Sequence, residues 1–189
     1  MGLPAVQSKM TAAEYLAWEA EQPERHDFVG GEVYAMSGAE ARHVMVAGNL
    51  YMALRQHLKG SPCRTFMSDM KLAAADDSAY FYPDVFVTCS TVDRADPLIM
   101  HEPTLLAEVL SPATAAYDRG QKFAHYRDIS SLHEVVFVDV DTRRVDVFRR
   151  NSEALWVLHP FGPGETVRLA SVELDISADA LFDDVDDPA

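Results

Sequence analysis

Between Thr104 and Leu110 the chain reads Thr-Leu-Leu-Ala-Glu-Val-Leu, apolar almost throughout and broken only by Glu108. A strand with one wet face alternates apolar and polar residues. A nearly continuous apolar run instead implies a strand covered on both faces. Ser111-Pro112 closes the run, since the residue before a proline resists helix and the proline cannot donate to a ladder. A carboxylate inside such a strand is costly unless a cation or a hydrogen-bond donor meets it. Glu108 is therefore either one half of a buried ion pair or part of a site.

The rest of the chain arranges itself around that strand. Thr11-Ala12-Ala13-Glu14 has the form of a capping box and opens a short helix through Trp18 and Ala20. Arg25–Val29 and Glu32–Met36, separated by Gly30-Gly31, form a hairpin with a tight primed turn. From about Glu40 to Leu58 the period becomes 3.6: Val46, Leu50, Ala53, Leu54 and Leu58 make one apolar stripe, with His43 on it and Gly60 at the stop. Cys63 to Leu72 contains a short strand, and Ala79 to Cys89 a stronger one that carries Asp84, with Asp76-Asp77-Ser78 as the turn between them. Leu98 to Met100 is a short strand or an irregular segment. A helix from about Ala116 to Asp128 follows. Then Glu134–Val140 and Arg144–Arg149 make a hairpin around Asp141-Thr142. Two weaker strands, Leu155–Leu158 and Thr166–Leu169, flank the loop Pro160-Phe161-Gly162-Pro163-Gly164. This order predicts an α+β (mixed α/β) fold with one central sheet.

With 189 residues, 48% of them hydrophobic, residues 1–189 are expected to form a single domain. No apolar stretch approaches the roughly 20 residues of a bilayer span, and the first residues lack the basic start and apolar core of a secretory signal. Cys63 and Cys89 are the only cysteines, which argues against a disulfide scaffold or a structural zinc site. A cytoplasmic protein with no membrane partner is the expectation. The net charge of −14 argues against a broad phosphate-binding face, because basic surfaces drive that binding by counterion release. Part of the excess is local: Asp179, Asp183, Asp184, Asp186 and Asp187 form an acidic tail expected to be solvated and frayed, as is the N-terminal segment. Arg143, Arg144, Arg149 and Arg150 read as a hairpin turn and its exposed face ahead of a DNA patch.

Asp84 stands in Tyr82-Pro83-Asp84-Val85-Phe86-Val87 and Lys122 in Arg119-Gly120-Gln121-Lys122-Phe123. Alone, an Asp after a proline marks a turn or accepts backbone N–H bonds, and a lysine at the edge of a helix stripe snorkels outward. Lys122, Tyr126 and Ile129 share one helix face. Two acids on neighbouring strands with that lysine nearby would make a site for a divalent metal and an activated water, the means of cutting a phosphodiester. Glu32 is either a third carboxylate of the site or an exposed acid on its hairpin. His43 either faces the same cleft or is a satisfied core histidine. Gln121, next to Lys122, is placed to hydrogen-bond the attacking water or a phosphate, while Tyr117 and Tyr126 read as core or rim aromatics.

The pattern Asp84, then Glu108-Val109-Leu110 on the next strand, resembles the PD-(D/E)xK nuclease site. More specifically, the chain resembles the Uma2 family over about residues 10–185. The resemblance rests on Thr11–Leu16, Gly31-Glu32-Val33, His43, Asn49-Leu50, Pro83-Asp84-Val85, Glu108–Pro112, Tyr117–Lys122 and Tyr126-Arg127. It implies a restriction-endonuclease-like core, a central mixed β-sheet flanked by helices, with a Mg²⁺ or Mn²⁺ site. Leu110 stands where the general pattern has its lysine, and the resemblance implies that the residue comes from the next helix, where Lys122 lies. Asp27 occupies a position where family members often carry Glu, within water-bridged reach of a metal. On this reading Asp84, Glu108 and the Val109 carbonyl hold the metal and Lys122 positions the nucleophilic water. DNA is the expected substrate, and a homodimer is open. The alternative is a catalytically silent binding or regulatory module that keeps the nuclease fold.

Overall fold

Thr11 caps the first helix, α1 (Ala12–Glu19), and the capping box closes as the spacing requires. The Glu14 N–H donates to Thr11 Oγ1 at 3.3 Å and the Thr11 N–H donates to Glu14 Oε2 at 2.8 Å. A computed structural model describes residues 9–185 apart from Ser37 and Ala75. The expected flexibility of the first eight residues, and Asp186 and Asp187, lie outside the described residues. The hairpin β1 (His26–Val29) and β2 (Glu32–Ala35) turns through Gly30 at φ 57° and Gly31 at φ 94°. Both angles lie in the region that a primed turn demands and that glycine enters at least cost.

Helix α2 (Ala41–His57) buries Val46, Ala47, Leu50 and Leu54. The strands β3 (Arg64–Met67), β4 (Lys71–Ala73), β5 (Ala79–Phe81), β6 (Val85–Thr88), β7 (Ile99–Met100) and β8 (Pro103–Leu110) follow. Then come α3 (Ala115–Tyr117), a π-helical turn (Asp118–Lys122) and α4 (Phe123–Arg127). The chain continues through β9 (Glu134–Asp139), β10 (Arg144–Arg150), β11 (Trp156–Phe161), β12 (Val167–Leu169), a 3₁₀ turn (Ala170–Val172), β13 (Leu174–Ile176) and α5 (Ala178–Leu181).

The fold is mixed α+β, but the expected one central sheet is divided. A six-stranded sheet runs β11-β10-β9-β8-β6-β3, a five-stranded sheet runs β2-β1-β5-β4-β7, and β12 pairs with β13. Within the larger sheet β8 lies antiparallel to β6 and parallel to β9, and its last six residues are all buried, as its apolar run requires. Its side chains divide by parity. Leu105, Ala107 and Val109 pack with the buried face of α2, whereas Leu106 and Leu110 pack with Phe123 and Tyr126 of α4. Glu108 is of even parity, so it falls on the side that carries Lys122.

Several expectations are corrected here. The single strand from Ala79 to Cys89 is two strands in different sheets: β5 belongs to the five-stranded sheet and β6 to the six-stranded one, with Tyr82-Pro83-Asp84 as the crossing between them. A proline at the crossing fits, because it cannot serve a central ladder. The single helix from Ala116 to Asp128 is interrupted by the π-helical turn, whose extra residue resets the phase of everything after it. The acidic C-terminal segment is not frayed up to Val185. Leu181, Phe182 and Val185 are buried, and Asn49 Nδ2 donates to the carbonyls of Leu181 and Asp183. Strand β11 also runs on through Pro160 and Phe161, which the loop reading had excluded; Pro160 is tolerated because β11 is an edge strand. The arginines of the late hairpin are largely held within the fold. Arg149 Nε donates to Glu134 Oε1 at 2.7 Å, and Arg150 donates to the carbonyls of Arg127, Ile129 and Ser130.

Cys63 and Cys89 form a disulfide, contrary to the reading of the cysteine count. In the β3–β6 ladder Arg64 faces Thr88, so the next pair outward is Cys63 and Cys89. The bond staples β3, an edge strand, to the rest of its sheet. With the cysteines 26 positions apart in the sequence, loop closure in the unfolded chain predicts about 2–4 kcal/mol of stabilisation. Reduction with dithiothreitol should therefore lower the melting temperature of the oxidised protein by about 5–15 °C. Unchanged melting after verified reduction would show that β3 holds without the staple.

Candidate functional site

Extending the β6–β8 register by one step from Val85↔Ala107 places Asp84 opposite Glu108, at the point where β6 begins. Glu108 is 3% exposed and Lys122 6%. Lys122 Nζ donates to Glu108 Oε1 at 2.8 Å, and the Tyr126 hydroxyl donates to the same oxygen at 2.5 Å. Lys122 is the last residue of the π-helical turn and Tyr126 lies in α4, so the stripe that links them in the sequence does converge on one carboxylate. Asp84 Oδ2 accepts the Val109 N–H at 2.7 Å and lies 3.2 Å from His43 Nε2, which reaches over from α2. Asp118 is buried at the start of the π-helical turn, 4.0 Å from Lys122 Nζ. Asp27, half-buried on β1, accepts the Tyr82 N–H at 3.3 Å and lies close enough to Lys122 and Asp118 to feel both charges.

Glu108 differs from the other buried acids in what is left over. Glu134 accepts from Arg149, from the Ala170 and Ser171 N–H groups and from the Ser171 hydroxyl, using both of its oxygens. Asp93 accepts from Thr88 and from the N–H groups of His101 and Glu102 through both oxygens. Glu19 accepts the His26 N–H and the Tyr82 hydroxyl on one oxygen, and the other lies 3.0 Å from His26 Nδ1. These three acids join elements and are saturated. Glu108 and Asp84 each engage one oxygen, and among the described residues the other oxygen of each carries no hydrogen bond. Among the described residues two buried polar atoms nearby lack hydrogen-bond partners as well, His43 Nδ1 and the Tyr117 hydroxyl.

The electrostatics agree with an incomplete site. Burial pushes the Glu108 carboxyl up to about 7, against the pull of Lys122 and with help from the charges of Asp84 and Asp118. Burial also raises Asp27 and Asp118, again against Lys122. Lys122 itself is drawn down by burial, but the carboxylates of Glu108, Asp27 and Asp118 outweigh that and leave it above the usual lysine range. His43 is lowered by burial and raised further by its bond to Asp84, with a net rise. Three acids share one buried lysine, and Asp84 leans on His43 instead.

A divalent cation is consistent with this donor set. Carboxylate oxygens with an unused lone pair suit a hard ion, and Mg²⁺ accepts few protein ligands because it keeps several waters. Among the described residues no group of three His, Cys, Asp or Glu side chains stands ready to hold a metal, so a main-chain carbonyl such as that of Val109 and water would complete the shell. Of the other sequence candidates, Glu32 accepts the hydroxyl of Tyr34 on its own strand, with no contact to Asp84, Glu108 or Lys122 among the described residues. Gln121 points outward and is exposed. Asp118, Tyr117 and Tyr126 are the site residues that sequence reasoning missed. For Asp118 the signal was present in its spacing of four from Lys122, an i,i+4 acid–base pair.

No helix among the described residues is long and apolar enough to cross a membrane. A crystal structure of "a putative nuclease belonging to DUF820" from Anabaena variabilis superposes with a TM-score of 0.75 at 18% identity, covering 92% of this chain and 97% of that one. Two proteins of Synechocystis sp. are similar in sequence. The one named slr1290 is 33% identical over 174 residues, 92% of each chain, and the one named sll1609 is 36% identical over 151 residues, 79% of this chain and 85% of its own. The family described as "Uma2: Putative restriction endonuclease" matches residues 12–180, a span that takes in every residue of the site above. With its core, its two facing acids and its helix-borne lysine in that order, the chain belongs to the Uma2 family.

Proposed function

We propose that this protein is a metal-dependent endonuclease that hydrolyses DNA phosphodiester bonds at the site formed by Asp84, Glu108 and Lys122. The observation that carries the reading is the pairing of Asp84 and Glu108 across adjacent strands, each with an oxygen to spare, beside a buried ammonium. The name of the matching family and the words describing the Anabaena structure support the same reading. Asp84, Glu108 and the Val109 carbonyl would hold Mg²⁺ or Mn²⁺. A bound ion of this kind lowers the pKa of a water ligand and offsets charge on a phosphate.

The chain's own residues do the positioning. Tyr126 and Lys122 grip one oxygen of Glu108 and leave the other without a hydrogen bond among the described residues. His43 and the Val109 N–H fix Asp84 in the same way. Because its acidic neighbours keep Lys122 protonated, it serves as a fixed cation that donates to an attacking water or a phosphate oxygen, not as the base that removes a proton. The Tyr117 hydroxyl and His43 Nδ1 are buried beside these groups without hydrogen-bond partners among the described residues.

Calorimetric titration with Mn²⁺ and a supercoiled-plasmid nicking assay test the proposal together. The parent protein should bind one ion and nick in its presence. Asp84→Asn should weaken binding by at least about 100-fold, since even outer-shell changes cost 10–100-fold at metal sites, and nicking should fall with it. A second reading, the silent nuclease-fold module, is favoured by the net charge of −14. Metal binding without nicking of any nucleic acid would select it, and no metal binding at all would remove the proposed site.

A further inference from the structure

We propose that the outward face of α2 is a homodimer interface, in which α2 lies antiparallel on the α2 of a second copy and crosses it at Gly48. This inference is independent of the nuclease reading. The solvent-facing arc of a surface helix is ordinarily polar. Over the first three turns of α2 that arc reads Ala41, Val44, Met45, Gly48 and Met52, with Val44 53%, Met45 37% and Met52 55% exposed. The spacings of 3, 4 and 7 keep these residues on one side, over a length of about 17 Å. No charged side chain interrupts the arc before Arg55, and His43 points away from it toward Asp84.

Gly48 is the second observation. Glycine is a poor residue for a helix interior, because it loses the most backbone freedom on folding. Nothing among the described residues requires it: a Cβ built there meets no atom within 4 Å. A residue without a side chain at the centre of an exposed apolar arc lets another backbone approach closely. The arc is also nearly symmetric about that point. An antiparallel crossing at Gly48 sets Val44 of each copy against Met52 of the other, the reciprocal pairing that a two-fold interface needs. Methionine side chains fill such contacts readily.

Charge selects the occupant. Glu40 stands at one end of the arc and Arg55 at the other, both exposed and neither in an ion pair among the described residues. Parallel helices would set Glu40 against Glu40 and Arg55 against Arg55. The antiparallel arrangement instead sets each Glu40 toward the other copy's Arg55, and it opposes the two helix dipoles. A second copy of this chain therefore matches the face in both shape and charge.

Sedimentation equilibrium should give a mass of about 42 kDa, twice the 21.0 kDa of one chain. Gly48→Leu should weaken the dimer by roughly 100-fold, the loss expected for a central interface position, with an unchanged circular dichroism spectrum because a Cβ there meets no atom within 4 Å. Met52→Glu should act in the same direction. Glu40→Arg and Arg55→Glu should each weaken association, and the double variant should recover it, which a merely sticky surface would not do. The proposal is overturned by a parent protein that stays monomeric at about 100 µM, well above the Kd of a specific interface, by a dimer indifferent to Gly48→Leu, or by a monomer that uses this face on lipid vesicles or DNA.

Discussion

Glu108→Gln should abolish Mg²⁺-dependent nicking, by roughly a thousandfold or more, while leaving the metal-free protein at least as stable as the parent at pH 8. The two halves of this result have one cause. Glutamine keeps the oxygen that accepts from Lys122 and Tyr126 but removes the charge that a cation needs. In the folded chain burial raises the Glu108 carboxyl from 4.5 to about 7, so its ionised form is disfavoured there relative to the unfolded chain. For an acid raised in this way, the contribution to stability is present below the unfolded value and is lost as pH rises through the folded one. The advantage of Gln over Glu should accordingly be absent near pH 4.5, open between pH 4.5 and 7, and hold constant above that. At about 1.4 kcal/mol per unit its ceiling is about 3 kcal/mol. Thermal melts of both proteins without metal, from pH 4.5 to 8, measure it. A variant that melts well below the parent at every pH would mean that Glu108 is held as a structural partner of Lys122, and the catalytic reading would then lose its main support.

Lys122→Met should be the more damaging change to the fold. Glu108, Asp118 and Asp27 share Lys122 as their buried cation, and removing it leaves carboxylates desolvated and unopposed. Breaking a buried pair from one side costs about 3–5 kcal/mol, which for a domain of this size is about 10 °C in melting temperature. The loss should shrink at pH 5.5, where the acids can take up protons, and it should shrink at neutral pH when Mn²⁺ is added, because a cation restores part of the missing charge. Nicking should be lost under all these conditions. If the melting temperature does not respond to Lys122→Met, the ammonium is not what balances these acids, and the charge argument for the site fails.

Much of the local structure was legible because it depends on neighbours in the chain. The Thr11–Glu14 capping box, the Gly30-Gly31 turn, the α2 stripe from Val46 to Leu54 and the Asp141-Thr142 hairpin each follow from residues within a few positions of one another. The failures share the opposite property. Ala79–Cys89 reads as one strand by composition, yet its two halves pair with partners in different sheets, which no local pattern encodes. The helix after Ser111-Pro112 keeps its apolar stripe, but the π-helical turn that buries Asp118 and Lys122 together is decided by packing against β8. The disulfide depends on the β3–β6 register, which brings together cysteines 26 residues apart.

The sequence by itself determined that Glu108 must be buried, since its neighbours are too apolar to face water, and that a buried acid there needs a partner. It also marked Asp84 and Lys122 as residues that could meet it. Only the tertiary structure decided which acids are saturated and which keep a free oxygen. That distinction separates Glu134, Asp93 and Glu19, which tie elements together, from Asp84 and Glu108, which leave a place for a cation. The reason is physical: the burial of a side chain follows from the residues beside it in the strand, whereas its hydrogen-bond count follows from whichever distant backbone the fold brings within 3 Å.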